Sequence, residues 1–218
     1  MLLNLNIPIQ SLADYWNMCN SLNCYDLCLN AERPYLDMLM KALSNVDNIY
    51  MEYETYQVNG EELKSITKRA EKVFAYELYH QFRLLMPENC GYFINGEIWK
   101  DKKIINTERA KSCYPDLVLH GSLGCVDKET QYFLCEIKMS TNQNLLYDLE
   151  KLTDLSKSDL CFKSYIFLCV GKSKQELLND IQKEYNPSKL YNGKIVCICK
   201  TKEDTEIFEL KEIINFLY

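Results

Sequence analysis

The run from Tyr132 to Ser140, YFLCEIKMS, is apolar except for Glu136 and Lys138. Strand side chains alternate faces, so a carboxylate and an ammonium at i and i+2 project from one side of a sheet. Upstream, the short apolar run PDLVLHG, Pro115 to Gly121, opens with Asp116. A third acid, Glu77, falls on the apolar side of a predicted helix, where a carboxylate is costly unless paired, hydrogen-bonded or metal-bound. These residue types suit hydrolysis of a phosphodiester. That group is anionic and repels an anionic nucleophile, so a divalent cation is needed to neutralise charge and lower the pKa of a bound water. Hard oxygen ligands suit Mg²⁺, which keeps several waters and takes one or two protein carboxylates. Asp116 and Glu136 are the candidates, with Mn²⁺ expected to substitute. Lys138 shares the Glu136 face, where it can orient or help deprotonate the attacking water and offset transition-state charge. Each residue also has an ordinary explanation. A same-face ion pair at a strand end is worth a fraction of a kcal/mol, and Asp before a strand is a common turn residue. Neither accounts for Glu77.

The surrounding pattern supplies elements to position these groups. Residues 1–63 read as helical, with apolar spacing through Tyr35, Leu36, Leu39, Met40 and Leu43 and a helix start at Pro34. A long helix is predicted from Glu61 to Met86, closed by Pro87. Its apolar stripe takes in Ile66, Ala70, Val73, Phe74, Leu84 and Leu85, with Lys68, Lys72 and Arg83 opposite and Glu77 inside it. Strands are predicted over Gly91–Lys100, Pro115–Gly121 and Gln131–Met139, then a helix over 143–157. The nearly continuous apolar run Lys163–Val170 reads as a central strand covered on both sides. A helix over Ser173–Tyr185, a strand over Lys194–Cys199, another near Glu206 and a terminal helix follow. Strands alternating with helices imply a mixed sheet flanked by helices, an α/β fold.

In this order, Pro115, Asp116, Glu136 and Lys138 resemble the motif of the PD-(D/E)XK nuclease superfamily. Glu77 matches the acidic residue often found on the helix before its sheet. The resemblance runs from Ser65 to Gly171 and includes the order of elements. It implies a small single-domain member with a restriction-endonuclease-like core in αβββαβ order. Asp116 and Glu136 would bind Mg²⁺, the backbone carbonyl of Ile137 would be a further ligand, and Glu77 would support the metal or its waters. Gln143 and Tyr147 resemble a Gln-x-x-x-Tyr element of the exonuclease branch, whose four-cysteine iron-sulfur pattern this chain does not match; a solvated helix face is the favoured alternative for both. Asp148 and Lys151 resemble a helix of small members, the alternative being an exposed pair without a role. His120 ends the Asp116 strand with the same parity, which would let it line a substrate groove, but a surface histidine is expected there; His80 is the other histidine.

Composition bounds the partners. The 218 residues suit one core with an appendage, divided here into an acidic N-terminal helical segment, 1–63, and a nuclease-like domain, 64–218. The net charge of −6 is uneven: residues 1–63 hold two basic and nine acidic side chains. Beyond them lie two basic windows, Lys64, Lys68, Arg69 and Lys72, and Lys100, Lys102, Lys103, Arg109 and Lys111. Arg69, Lys72, Lys100, Lys102, Lys103 and Gln143 are the candidate nucleic-acid contacts. The acidic segment is a candidate surface for a protein partner, and cleavage of both duplex strands would suit a homodimer. Several of the eleven cysteines (Cys135, Cys161, Cys169, Cys197) sit in apolar runs as reduced thiols, and Cys19, Cys24 and Cys28 lack a paired motif for metal. The N-terminus lacks a signal-peptide pattern, and no window is long and apolar enough for a bilayer span, so a cytoplasmic protein is expected. The expected function is Mg²⁺-dependent hydrolysis of nucleic acid, DNA first. The alternative is a catalytically silent nuclease fold that binds nucleic acid or a partner protein.

Overall fold

In a computed structural model, residues 33–59, 62–68, 70–86, 92–96, 114–121, 131–140, 145–158, 160, 162–184 and 195–210 are described. They form helix α1 (Arg33–Asn45), a 3₁₀ turn (Asn48–Tyr50), strands β1 (Tyr53–Asn59) and β2 (Glu62–Lys68) and helix α2 (Glu71–Leu85). Then come β3 (Phe93–Gly96), β4 (Leu117–His120), β5 (Gln131–Met139), α3 (Leu145–Ser156), β6 (Ser164–Val170), α4 (Lys174–Glu184), β7 (Ile195–Lys200) and β8 (Thr205–Glu209).

The six strands β3 to β8 lie in sequence order in one mixed sheet. β5, β6 and β7 are parallel, and the remaining neighbours pair antiparallel. Parallel neighbours need crossovers, which α3 and α4 supply. Side-chain alternation sorts the core into two layers. Phe133, Cys135, Ile137 and Met139 of β5 face α1 and α2, meeting Leu39, Leu43, Phe74 and Phe82. Leu134 faces α3 and α4, among Leu149, Leu152, Phe167 and Leu177. Glu136 and Lys138 therefore leave β5 on the α3 side. Phe167 lies beside Glu136 in the β5–β6 register and is fully buried. Phe167→Ala is expected to cost about 3–5 kcal/mol through the cavity it leaves, read as a lower urea midpoint at unchanged slope.

The turn from β6 to α4 is locally encoded. Gly171 has φ 85°, where a side chain would be strained, and its N–H donates to the Lys200 carbonyl at 2.7 Å. Ser173 then caps α4: its N–H donates to Glu176 Oε2 at 2.8 Å, while the Glu176 N–H donates to Ser173 Oγ at 3.4 Å, a capping box.

Two expectations are corrected. The predicted helix from Glu61 to Met86 is split: β1 and β2 form an antiparallel hairpin, Asn59 facing Glu62, and α2 begins only at Glu71. Tyr53, Thr55, Tyr56 and Val58 before Asn59-Gly60, a strong hairpin signal, outweigh the helical spacing of the residues that follow. The acidic segment is thus not wholly helical, and the 63/64 boundary cuts through β2. Its described helix, α1, packs Tyr35, Met38, Leu39, Ala42 and Leu43 into the core. The second correction is His120, which is buried rather than on the surface, its ring 6.5 Å from that of Phe93. The terminal helix and residues 1–32 lie outside the described residues. Cys135, Cys169, Cys197 and Cys199 are buried free thiols. Among the described residues no helix is long and apolar enough to cross a membrane.

Candidate active site

β4 pairs with β5 only as far as Leu117 opposite Cys135. Glu136 to Met139 run past the start of β4, still paired with β6 on their other flank. This leaves β5 with backbone groups that need partners beside the residue preceding β4. Asp116 occupies that position, after the buried Pro115, and its Oδ2 accepts the Ile137 N–H at 2.7 Å.

Five more charged side chains converge there. Lys138 Nζ lies 2.9 Å from Asp148 Oδ2 on α3 and 3.7 Å from Glu71 Oε2 at the first turn of α2. Lys151 Nζ, one turn beyond Asp148, lies 2.7 Å from Glu136 Oε1. With Asp116 and Glu136, four carboxylates face two ammonium groups, leaving −2 when all are ionised. The cluster is largely shielded, Glu136 being 5% and Asp148 7% exposed.

The charges strain one another. Burial pushes the Asp116 carboxyl up to about 6, against the lowering pull of the Ile137 amide. Burial likewise pushes Glu136 up to about 7; Lys151 pulls the other way, and the neighbouring charge of Asp116 adds to the rise. For Lys138, burial acts to lower the pKa, but the hydrogen bond and charge of Asp148, with Glu71 and Asp116 behind them, more than offset it and hold the ammonium above its ordinary value. This direction favours Lys138 as a charged donor over the proton acceptor that the sequence also allows.

A carboxyl with a raised folded-state pKa contributes stability that is fully present below its unfolded value and lost as pH rises through its folded value. The window runs from the ordinary 3.8 and 4.5 of Asp116 and Glu136 up to about 6 and 7. The metal-free protein should lose this contribution between pH 4 and 7. Added Mg²⁺ or Mn²⁺ should recover it, raising the melting temperature more at pH 7.5 than at pH 5. Thermal melts at the two pH values check both halves.

The sequence-derived candidates fare differently. Asp116, Glu136 and Lys138 come together. Ile137 joins through its N–H, which donates to Asp116 Oδ2. Glu77 does not join: its Oε1 accepts from Gln81 Nε2 at 2.6 Å and its Oε2 lies 3.6 Å from His80 Nδ1, all on α2. Glu71 is instead the α2 acid that reaches the cluster, through Lys138. The buried stripe of α2 is Phe74, Ala75, Leu78 and Phe82, while Val73 and Leu84 are exposed. At about 100° per residue Glu71 lies at the centre of that stripe and Glu77 about 120° away. The spacing 71, 74, 75, 78, 82 would have identified Glu71 once the helix start was set correctly. Asp148 and Lys151 are not an exposed pair; each is engaged with β5. Tyr147 is exposed, and Lys72 lines a cleft of about 370 Å³ that reaches Asp116. Arg69, Lys100, Lys102, Lys103 and Gln143 lie outside the described residues.

Among the described residues, no group of three His, Cys, Asp or Glu side chains forms a ready metal cage. Mg²⁺ does not need one, since one or two carboxylates suffice beside waters and substrate phosphate. Asp116 and Glu136 are hard oxygen donors whose buried charge a dication would relieve, so the donor set fits. No protein-family model, curated protein or solved structure matches the chain.

Proposed function

We propose that the chain is a divalent-cation-dependent nuclease with a PD-(D/E)XK site on a restriction-endonuclease-like core, hydrolysing phosphodiester bonds of nucleic acid, DNA first. The observation that carries this reading is the shielded cluster of net charge −2, set where β4 and β5 part and bordering an open cleft through Asp116. The element order α2-β3-β4-β5-α3-β6 supports it. So does the position of the acids toward the C-terminal end of β5, because ligands of α/β sheets bind at the carboxyl ends of parallel strands.

A bound Mg²⁺ would supply charge neutralisation at the phosphate and a lowered pKa for the attacking water. Asp116 and Glu136 would hold it, with the Ile137 carbonyl as a further ligand. Asp116 also ties the β5 backbone to the start of β4, fixing the spacing of the two acids. Lys138, kept charged by Asp148 and Glu71, would donate a hydrogen bond to the attacking water and stabilise charge developing on the phosphoryl oxygens. Lys151 would keep Glu136 ionised in a site that burial otherwise favours protonating.

Cleavage of plasmid and oligonucleotide substrates with Mg²⁺ or Mn²⁺ tests this. Activity is expected in the wild type and absent in Asp116→Ala and Glu136→Ala; wild-type rates in both variants would contradict it. A catalytically silent binding module has one observation in its favour, the internal pairing of Glu136 with Lys151 and of Asp148 with Lys138. Salt-sensitive DNA association without any Mg²⁺ or Mn²⁺ binding would select that alternative.

A further inference from the structure

We infer that Lys72, Tyr76, Tyr79 and Arg83 form a track on α2 that carries single-stranded nucleic acid to the Asp116 end of the site, an inference that rests on the nuclease reading above. Positions i, i+4, i+7 and i+11 of a helix share one face, so the four side chains form a second stripe, displaced by one residue from the buried one. Its order is cation, two aromatic rings, cation. Tyr76 is 62% exposed, and among the described residues it is one of the most exposed large hydrophobic side chains. Lys72, Tyr76 and Tyr79 line the cleft that ends at Asp116, and Arg83 continues the stripe one turn beyond it.

The alternation is the chemistry of single-strand recognition: rings stack on bases while cations follow the phosphates. A duplex keeps its base faces stacked on one another and offers none to a tyrosine, so these rings favour unpaired strands. Asn95 and Gly96 of β3 complete the cleft. The Asn95 amide brings a donor and an acceptor for a base edge. Gly96 keeps that end of the cleft roomy: a Cβ there would meet the Asp116 carbonyl oxygen at 3.2 Å, a tight contact. Over a chain of net charge −6, this stripe gives a polyanion a local cationic approach to the acidic cluster.

Binding can be read without cleavage. In Asp116→Asn without metal, fluorescence anisotropy is measured with labelled single-stranded DNA, single-stranded RNA and blunt duplex DNA of one sequence. Single strands should bind at least about tenfold tighter than the duplex, and Tyr76→Ala should weaken them about tenfold, the loss of one stacked base. The exposure of Tyr76 makes a folding defect an unsuitable explanation, and circular dichroism checks that. Arg83→Gln should lower the salt dependence of binding. The tighter of the DNA and RNA arms identifies the strand. Equal affinity for duplex, or affinity unmoved by Tyr76→Ala, overturns the track. Tight single-strand binding through Tyr76 by a protein that cleaves nothing would keep the track and refute the nuclease reading instead.

Discussion

Asp116→Asn is expected to lose cleavage by about a thousandfold or more while making the metal-free protein more stable at pH 8. The rate loss follows from removing one of two carboxylates that would hold the dication, an effect of several kcal/mol at about 1.4 kcal/mol per tenfold. The stability gain follows from the cluster's charge. At pH 8 Asp116 is ionised against burial and against the charge of Glu71, whereas Asn is neutral and keeps an oxygen to accept the Ile137 N–H. The melting temperature should rise by about 2–4 °C per kcal/mol gained in a chain of this size. The gain should vanish near pH 4, where Asp116 already carries its proton. Active sites commonly hold such destabilising groups because function requires them. A variant equally active, or less stable at pH 8, would show that Asp116 serves as a strand-end cap and nothing more.

Lys138→Met should act in the opposite direction on stability and the same direction on rate. Removing the ammonium leaves Asp148 and Glu71 without the cation that lies 2.9 and 3.7 Å from them, and four carboxylates then face Lys151 alone. A fully buried pair broken this way loses about 3–5 kcal/mol; with Lys138 partly exposed, about 2 kcal/mol is expected at pH 8. The loss should shrink toward pH 5 as the raised carboxyls take up protons. Cleavage should fall about a hundredfold or more, as when one preorganised donor to a developing anion is removed. Lys138→Arg should restore the stability and little of the rate. A rate unaffected by Lys138→Met would remove this residue from the chemistry.

The parts of the site that were legible in the sequence are those governed by strand parity. Glu136 and Lys138 had to share a face once β5 was recognised, and Asp116 had to sit at the mouth of its own short strand. The six-stranded mixed sheet followed from the alternation of apolar runs with helices. What was misjudged depended on phase. A single helix across β2 and α2 implies a rotated wheel, with Val73, Leu84 and Glu77 on the core side in place of Glu71. The hairpin signal at Asn59-Gly60 is present in the sequence and in the folded chain prevails over the helical spacing that follows it. The partners of Asp148 and Lys151 are not legible in the sequence, because nothing in a single helix says that its polar positions will meet charges on a neighbouring strand. The burial of His120 against Phe93 is likewise a consequence of tertiary packing. The exposed ring of Tyr76 carried no signal in the linear pattern, since the stripe it belongs to emerges only when the buried stripe is set correctly.

Calorimetric titration of Mn²⁺ into the metal-free protein at pH 7.5 tests the central claim most directly, because it asks whether two buried acids and their neighbours form a dication site. Wild type should bind Mn²⁺ with partial proton release that grows as the pH is lowered toward 6, visible as heat that changes with the ionisation enthalpy of the buffer, since Glu136, raised to about 7, and below that Asp116, raised to about 6, must give up the protons they still hold. Asp116→Asn should lose that binding. Saturating Mn²⁺ binding that is identical in wild type and Asp116→Asn, or no binding to either, would contradict the account.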